Sequence, residues 1–409
     1  MSNDRRERFR RFMRNMDPTS DPIQAIERGF YVAPPDPAGR RISTRLELEP
    51  TSSHLLIGGI GSGKTTQLIQ IEAALGQVGD VLTARIDVPA AHRLDKLKPG
   101  VLVALAAASA TNHLRKLPGH VLNPEIASAL SRIDTIVKGH WVHDPQEDAP
   151  SPDSEDAMWV DGIIESPQTQ GGAIASLSEA LRSVTAALGQ RLVILFDGLD
   201  RVLDPKLFAS VIREDVPALG EAGIGLVMVG PQHLRLSEQQ HIVELFTAFH
   251  LHGAVAFHTH EGQAFLESVL RVRAGDGFFP EGMPAKLVTW SGGLLRDLIS
   301  LARASAEEAY VSGADVIDQT HIDTAADRFG RNLLLSATSV MTWRLKKLVP
   351  KRSSGAYVSS GNQVSFALSS DEGIKMLLNR LVIEIPGTPI QYAIHPTIVP
   401  LLRGMAGRL

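Results

Sequence analysis

The residues with the clearest chemistry are Gly58-Gly59-Ile60-Gly61-Ser62-Gly63-Lys64-Thr65, a complete G-x-x-x-x-G-K-[ST] pattern, followed by Thr66. Glycines at this spacing let backbone amides turn inward around phosphate oxygens, where side chains would block the approach. Lys64 is placed to bridge the β- and γ-phosphates of a nucleotide, and the Thr65 hydroxyl to ligate Mg²⁺. Far downstream, Arg191-Leu192-Val193-Ile194-Leu195-Phe196-Asp197-Gly198-Leu199-Asp200-Arg201 is an apolar run that ends in an acid. A buried strand with that ending sets a carboxylate at the carboxyl edge of a sheet, so Asp197 is the expected second metal ligand. Asp200 either orients or deprotonates an attacking water, or serves as a helix cap or an ion-pair partner for Arg201.

These groups need a sheet to hold them. His54–Ile57 runs into the glycine loop, and a helical pattern follows over 64–76. Val81–Val88, Leu192–Phe196 and Ile224–Val229 read as further strands, with helices in 92–139 and over 177–188. Short apolar strands alternating with helices predict a parallel sheet covered on both faces. Ile42, Thr44, Leu46 and Leu48 alternate as a strand would. Residues 144–157 are acidic and rich in Pro and Ser, an expected exposed loop. From about Phe257 the pattern is helical only. A last segment runs helix, a Ser/Gly-rich stretch at 353–362, helix 371–380, strand 381–385 and strand 389–394, the order of a winged helix-turn-helix.

At this point the chain resembles the AAA+/STAND group of P-loop ATPases, in its origin-recognition-like branch and with a bacterial cast. The glycine loop, the D-G-L-D-R stretch and the strand ending in Gly230-Pro231-Gln232 look like the core of that group. His258–Arg273 is similar to its first lid helix. Ser291-Gly292-Gly293-Leu294-Leu295-Arg296-Asp297-Leu298 is similar to its lid motif. The similarity spans roughly 50–330. It implies ATP and Mg²⁺ as cofactors, Arg296 as a lid arginine reaching the γ-phosphate, and Gln232 in a polar sensor position. It also implies four segments: a basic lead-in (1–50), an α/β ATPase domain (51–257), a helical lid (258–330) and a winged-helix-like tail (331–409).

Two departures bear on turnover. The common pattern has Glu directly after the metal-binding Asp, where this chain has Gly198, and the sensor position usually holds Asn, Thr or Ser rather than Gln. The resemblance therefore implies a slow, switch-like ATPase, for which bacterial antiviral defence is a fitting context. Arg201 and Arg213 are candidates for an arginine finger, or are surface cations.

The chain has 409 residues, 44% hydrophobic, with no cysteine. That excludes a disulfide scaffold, a thiolate metal site and a cysteine nucleophile, and it fits a cytoplasmic protein. No run of 18 apolar residues is present, so no membrane-spanning helix is expected. The net charge of −4 hides a division. Residues 331–409 hold ten Lys/Arg against three Asp/Glu, and residues 1–50 hold ten against eight, leaving the middle strongly acidic.

The tail's Arg344, Lys346, Lys347, Lys351 and Arg352, with Trp343 and Tyr357 interleaved, plus Lys375 and Arg380 on the expected second helix, suit either duplex DNA or a protein surface. At the other end, Arg5, Arg6, Arg8, Arg10, Arg11 and Arg14 alternate with Phe9, Phe12, Met13 and Met16. This helix either clamps a partner or packs on its own body. His250, His252, His258 and His260 form two H-x-H pairs that no carboxylate or cysteine completes as a zinc site, and His54 reads as a packing residue. Three functions remain: a nucleotide switch that engages a partner or its own copies, an ATPase that assembles on duplex DNA, and a nucleotide-dependent scaffold without turnover.

Overall fold

The computed structural model describes residues 3–116, 124–138, 167–275, 277–349, 370–386 and 391–406. The acidic stretch 144–157, the Ser/Gly-rich stretch 353–362 and Lys351, Arg352 and Tyr357 lie outside the described residues. The chain forms two compact units.

One unit comprises residues 38–57 and 67–251. Its centre is a five-stranded sheet of β1 (Ser53–Ile57), β2 (Val81–Asp87), β3 (Arg191–Asp197), β4 (Gly225–Gly230) and β5 (Ala248–Leu251). The order is β2-β3-β4-β1-β5, and every neighbouring pair is parallel. Because successive side chains point to opposite faces, the continuous apolar runs cover both sides of the sheet. Leu55, Ile57, Ile194, Phe196, Leu226 and Met228 pack with the helices Val101–Lys116, Pro167–Leu188 and Pro205–Glu221. Leu56, Val193, Leu195, Val227 and Val229 pack on the other face with Ala38, Ile42, Leu46, Leu68, Ile71 and Leu75. This is the α/β P-loop class expected from the sequence, and the four expected strands fall within one residue of their places.

One expectation fails. Ile42, Thr44, Leu46 and Leu48 belong to a helix, Ala38–Leu48, and not to a strand. Ala38, Ile42 and Leu46 recur every four residues and are buried, while Leu48 is 79% exposed. The same residues satisfy both periods, and the helical stripe is the one the sheet face covers.

At the amino end of β1, His54 is fully buried. Its Nε2 lies 2.9 Å from Ser52 Oγ and its Nδ1 lies 3.1 Å from His250 Nε2. Burial, and then the cationic neighbours His250 and Arg45, hold its pKa down to about 4 from 6.5. The native imidazole is neutral whereas the unfolded one takes up a proton below 6.5. Stability from this group is therefore intact above that pH and is lost as pH falls toward 4, by up to about 1.4 kcal/mol per pH unit. Urea unfolding of wild type and His54→Gln across this window should differ in slope, the variant lacking the rise of stability with pH that His54 supplies. Identical slopes would mean that His54 has no part in the acid sensitivity.

The other unit comprises residues 1–37, 58–66 and 252–409. Four helices, His260–Ala274, Met283–Ser291, Leu295–Ser312 and Gln319–Leu334, enclose a core that includes Leu266, Leu270, Leu287, Leu298 and Ile322. The amino-terminal helix Asn3–Asn15 lays Phe9 and Phe12 into that core, joined by Met16 just beyond its end. Arg5 turns inward, bonding Ala314 O at 2.7 Å and stacking on Tyr310. Arg8 bonds Gly277 O at 2.8 Å and stacks on Phe278. Arg6, Arg10, Arg11 and Arg14 stay exposed. The helix thus packs on its own body while keeping a basic outer stripe.

The tail follows the expected order. Helices Ser339–Leu348 and Asp371–Leu378 precede β6 (Val382–Ile385) and β7 (Gln391–Ile394), which pair antiparallel, and a helix Val399–Ala406 ends the described chain. Among the described residues no helix is long and apolar enough to cross a membrane.

Candidate nucleotide site

The glycine loop leaves β1 at Ile57 and enters the helix Lys64–Leu75. Gly61 and Gly63 hold φ of +82° and +98°, the left-handed region that other residues rarely take. At Gly58 a Cβ would fall 1.8 Å from the carbonyl oxygen of His252, so the loop is packed too closely for a side chain there. The Lys64 ammonium, 5% exposed, donates to Gly58 O at 2.9 Å and Gly59 O at 2.8 Å. Ser62 Oγ is buried within the loop without a hydrogen-bond partner. An orphaned hydroxyl, a buried ammonium and the start of a 12-residue helix on one short loop fit a phosphate group. Thr65 and Thr66 are half-buried in the first turn of that helix, and Ile60 is half-buried at the outer bend.

His252 is the residue the sequence reading missed in this role. Its ring lies 3.7 Å from the Gly63 Cβ position and hydrogen-bonds the Ser62 backbone. Burial and the neighbouring Lys64 charge push its pKa down to about 4, so a neutral imidazole braces the loop. The H-x-H pattern marked the residue without saying what it touches. Among the described residues no group of three or more His, Cys, Asp or Glu that could hold a metal comes together.

The helix Leu295–Ser312 abuts the same loop. The Arg296 backbone N–H donates to Gly61 O at 3.3 Å, and a Cβ on Gly61 would lie 2.6 Å from Arg296 Cβ. The Arg296 side chain is exposed. The turn Ser291-Gly292-Gly293 that sets up this helix holds φ of +60° and +84° at its glycines.

Within the sheet, β3, β4 and β1 are neighbours, so their carboxyl ends share one edge. Asp197 ends β3 there, 8% exposed, and its Oδ1 accepts from Gly198 N at 2.8 Å. Gly198 has φ of +83°, and a Cβ on it would fall 2.4 Å from Pro89 Cδ. A glutamate therefore has no room at 198, which gives the departure from the common pattern a steric cause. Asp200 sits half-buried in the turn Leu199–Arg201. Gln232, 8% exposed, starts the turn Gln232–Leu236 after β4. Arg213 bonds Gln239 and His241 on an exposed face. Taken singly, the Thr65 hydroxyl in one unit and the Asp197 carboxylate in the other are each a hard oxygen donor of the kind Mg²⁺ takes.

No family model matches the sequence, and no curated protein does. Among solved structures the chain is similar to the Aeropyrum pernix ORC1 protein in complex with DNA, at 15% identity and a TM-score of 0.45, covering 92% of this chain and 95% of that one. It is also similar to Cdc6p from Pyrobaculum aerophilum, at 13% identity and a TM-score of 0.41, covering 92% and 97%. A third is the RuvB Holliday junction branch migration motor of Thermotoga maritima, at 13% identity and a TM-score of 0.37, covering 89% and 93%. Identities and scores this low transfer no activity and no partner to the chain.

Proposed function

We propose that the protein is an AAA+-type P-loop ATPase that binds ATP and works as a slow nucleotide switch, coupling the state of its lid and tail to a partner protein or to further copies of itself. The reading is carried by the glycine loop, with its orphaned Ser62 hydroxyl and buried Lys64, set directly against the first turn of the helix Leu295–Ser312 at Arg296. On nucleotide binding, Lys64 exchanges its two loop carbonyls for β- and γ-phosphate oxygens, which are stronger charge-assisted partners. The Ser62 hydroxyl and the loop amides hold the remaining oxygens. Thr65 and Asp197 are the residues that would hold Mg²⁺, which would supply positive charge against the phosphates. Arg296 would pair with the γ-phosphate, and Asp200 and Gln232 would be the polar groups to orient a water. With Gly198 in the place of a general-base glutamate, turnover is slow.

The test is titration of a fluorescent ATP analogue with Mg²⁺, competed by ATP, followed by phosphate release. Saturable binding with turnover far below one per second supports the reading. Absence of binding overturns it. Binding without phosphate release supports the scaffold alternative.

A second reading has its own observation. Lys347 is exposed and stacks 3.6 Å above the ring of Trp343, itself 57% exposed, on the helix Ser339–Leu348. With Lys346 this makes a cationic and aromatic face suited to duplex DNA. Neutralising Lys346 and Lys347 should weaken DNA binding and flatten its dependence on log salt by about 0.9 for each phosphate no longer neutralised. Mass photometry with ATP and with duplex DNA would separate an assembly on DNA from a partnered switch. An unchanged salt slope would count against the DNA reading.

A further inference from the structure

The residue after Arg296 is a fully buried acid. Asp297 lies in the first turn of the helix Leu295–Ser312 with a side chain 0% exposed, and both groups that meet its carboxylate come from the tail. Arg380 Nη1 donates to Asp297 Oδ1. His395 Nε2 faces Asp297 Oδ2 at 3.3 Å, and neither of these two buried atoms has another hydrogen-bond partner. Thr397 N donates to His395 Nδ1 at 3.4 Å and Thr397 Oγ1 lies 2.8 Å from the same nitrogen, so the tail's own turn holds the ring beside the carboxylate.

The tail is shaped for this contact. Arg380, two residues past the helix Asp371–Leu378, has φ of +56° and is the one non-glycine residue at positive φ among the described residues. Its backbone turns the chain out of that helix and into β6 while its side chain reaches the carboxylate. On the lid side, a Cβ at Gly292 would fall 2.3 Å from Ile383 Cδ1, and one at Gly330 would fall 2.3 Å from Thr397 O. Lid and tail therefore meet at a distance that only glycine permits.

Two successive residues of one helical turn thus face different ways. Arg296 bonds the phosphate loop through its backbone, and Asp297 is gripped by Arg380 and His395. The first turn of a helix moves as a piece, so a shift at one of these residues reaches the other. A buried carboxylate with a specific ionic partner in Arg380 also fixes register. We propose that Arg380 and His395 are positioning residues for the nucleotide site: by clamping Asp297, the seated tail holds the Arg296 turn against the phosphate loop and slows nucleotide release. This rests on the nucleotide reading above.

The experiment measures release of a fluorescent ATP analogue, with Mg²⁺, from wild type, Arg380→Ala and Arg380→Lys, together with backbone hydrogen exchange over residues 382–398. Arg380→Ala is expected to raise the dissociation rate about tenfold with little change in association, and to speed exchange in the tail. Arg380→Lys, which keeps the charge, should recover a large part of both. By reciprocity, nucleotide should slow tail exchange in wild type and not in Arg380→Ala. A dissociation rate within about twofold of wild type alongside faster tail exchange overturns the proposal. If Arg380→Ala does not fold, His395→Asn carries the same comparison. A wild-type chain that binds no nucleotide refutes the nucleotide reading itself, a result distinct from binding that ignores the clamp.

Discussion

Lys64→Ala is expected to abolish ATP binding and to leave the fold standing. The ammonium is buried and bonded to the carbonyls of Gly58 and Gly59, so it already sits at the mouth of the loop. Each hydrogen bond to a charged group contributes about 1.5–3 kcal/mol, and Lys64 is positioned to make two with phosphate, so about a hundredfold of affinity or more is at stake. Lys64→Arg is not expected to rescue, because a planar guanidinium does not fit the compact place of an ammonium between two glycine carbonyls. Thermal unfolding gives the second readout. Nucleotide at about a hundred times its dissociation constant stabilises wild type by about 2.7 kcal/mol, and Lys64→Ala gains none of it. Wild-type ATP affinity in Lys64→Ala would refute the site.

What the sequence made legible here was local. The glycine loop is a contiguous pattern whose chemistry follows from its own residues, and the strand ending at Asp197 announces itself by an apolar run closed with an acid. The lid helices and the tail's helix-helix-hairpin order were equally readable, since each is a periodic segment with its own caps. What stayed hidden depends on residues far apart in sequence. Nothing near Gly198 reveals Pro89, which leaves no room for a side chain there. His252 reads as half of an H-x-H pair until its ring is found against Gly63. Asp297 looks like one letter of a lid motif, yet its partners lie 83 and 98 positions onward, at Arg380 and His395. The Ile42–Leu48 segment failed for a different reason. Its apolar residues fit both periods, and only the packing of Ile42 and Leu46 under the sheet decides between them.

The largest loss of stability is expected from Asp215→Ala, a substitution far from any phosphate chemistry. Asp215 lies on the helix Pro205–Glu221, 0% exposed, and its carboxylate accepts from Gly100 N at 2.5 Å and Leu102 N at 2.8 Å. Those amides open the helix Val101–Lys116, whose residues Val101–Ala108 are all buried. A helix start has up to four amides without an intrahelical partner, and in an apolar core no water serves them. Removing the carboxylate leaves two of them unsatisfied at about 1–3 kcal/mol each, so the loss should be about 2–6 kcal/mol. Asp215→Asn keeps one acceptor oxygen and should lose roughly half of that.

Burial pushes the Asp215 pKa up from 3.8 to about 7, against the backbone bonds that favour the anion. The native state therefore holds a proton that the unfolded chain releases. The stability this adds is complete below 3.8 and disappears as pH rises through about 7. This runs opposite to His54, whose contribution fails as pH falls, so the two nearly conceal each other in a wild-type pH profile. Asp215→Asn, which cannot titrate, should expose the His54 slope between pH 4 and 6.5. Urea unfolding at pH 7 decides the main point. A loss below about 1 kcal/mol in Asp215→Ala would mean the helix start finds other acceptors, and the buried carboxylate would not be what holds the helix Val101–Lys116 in place.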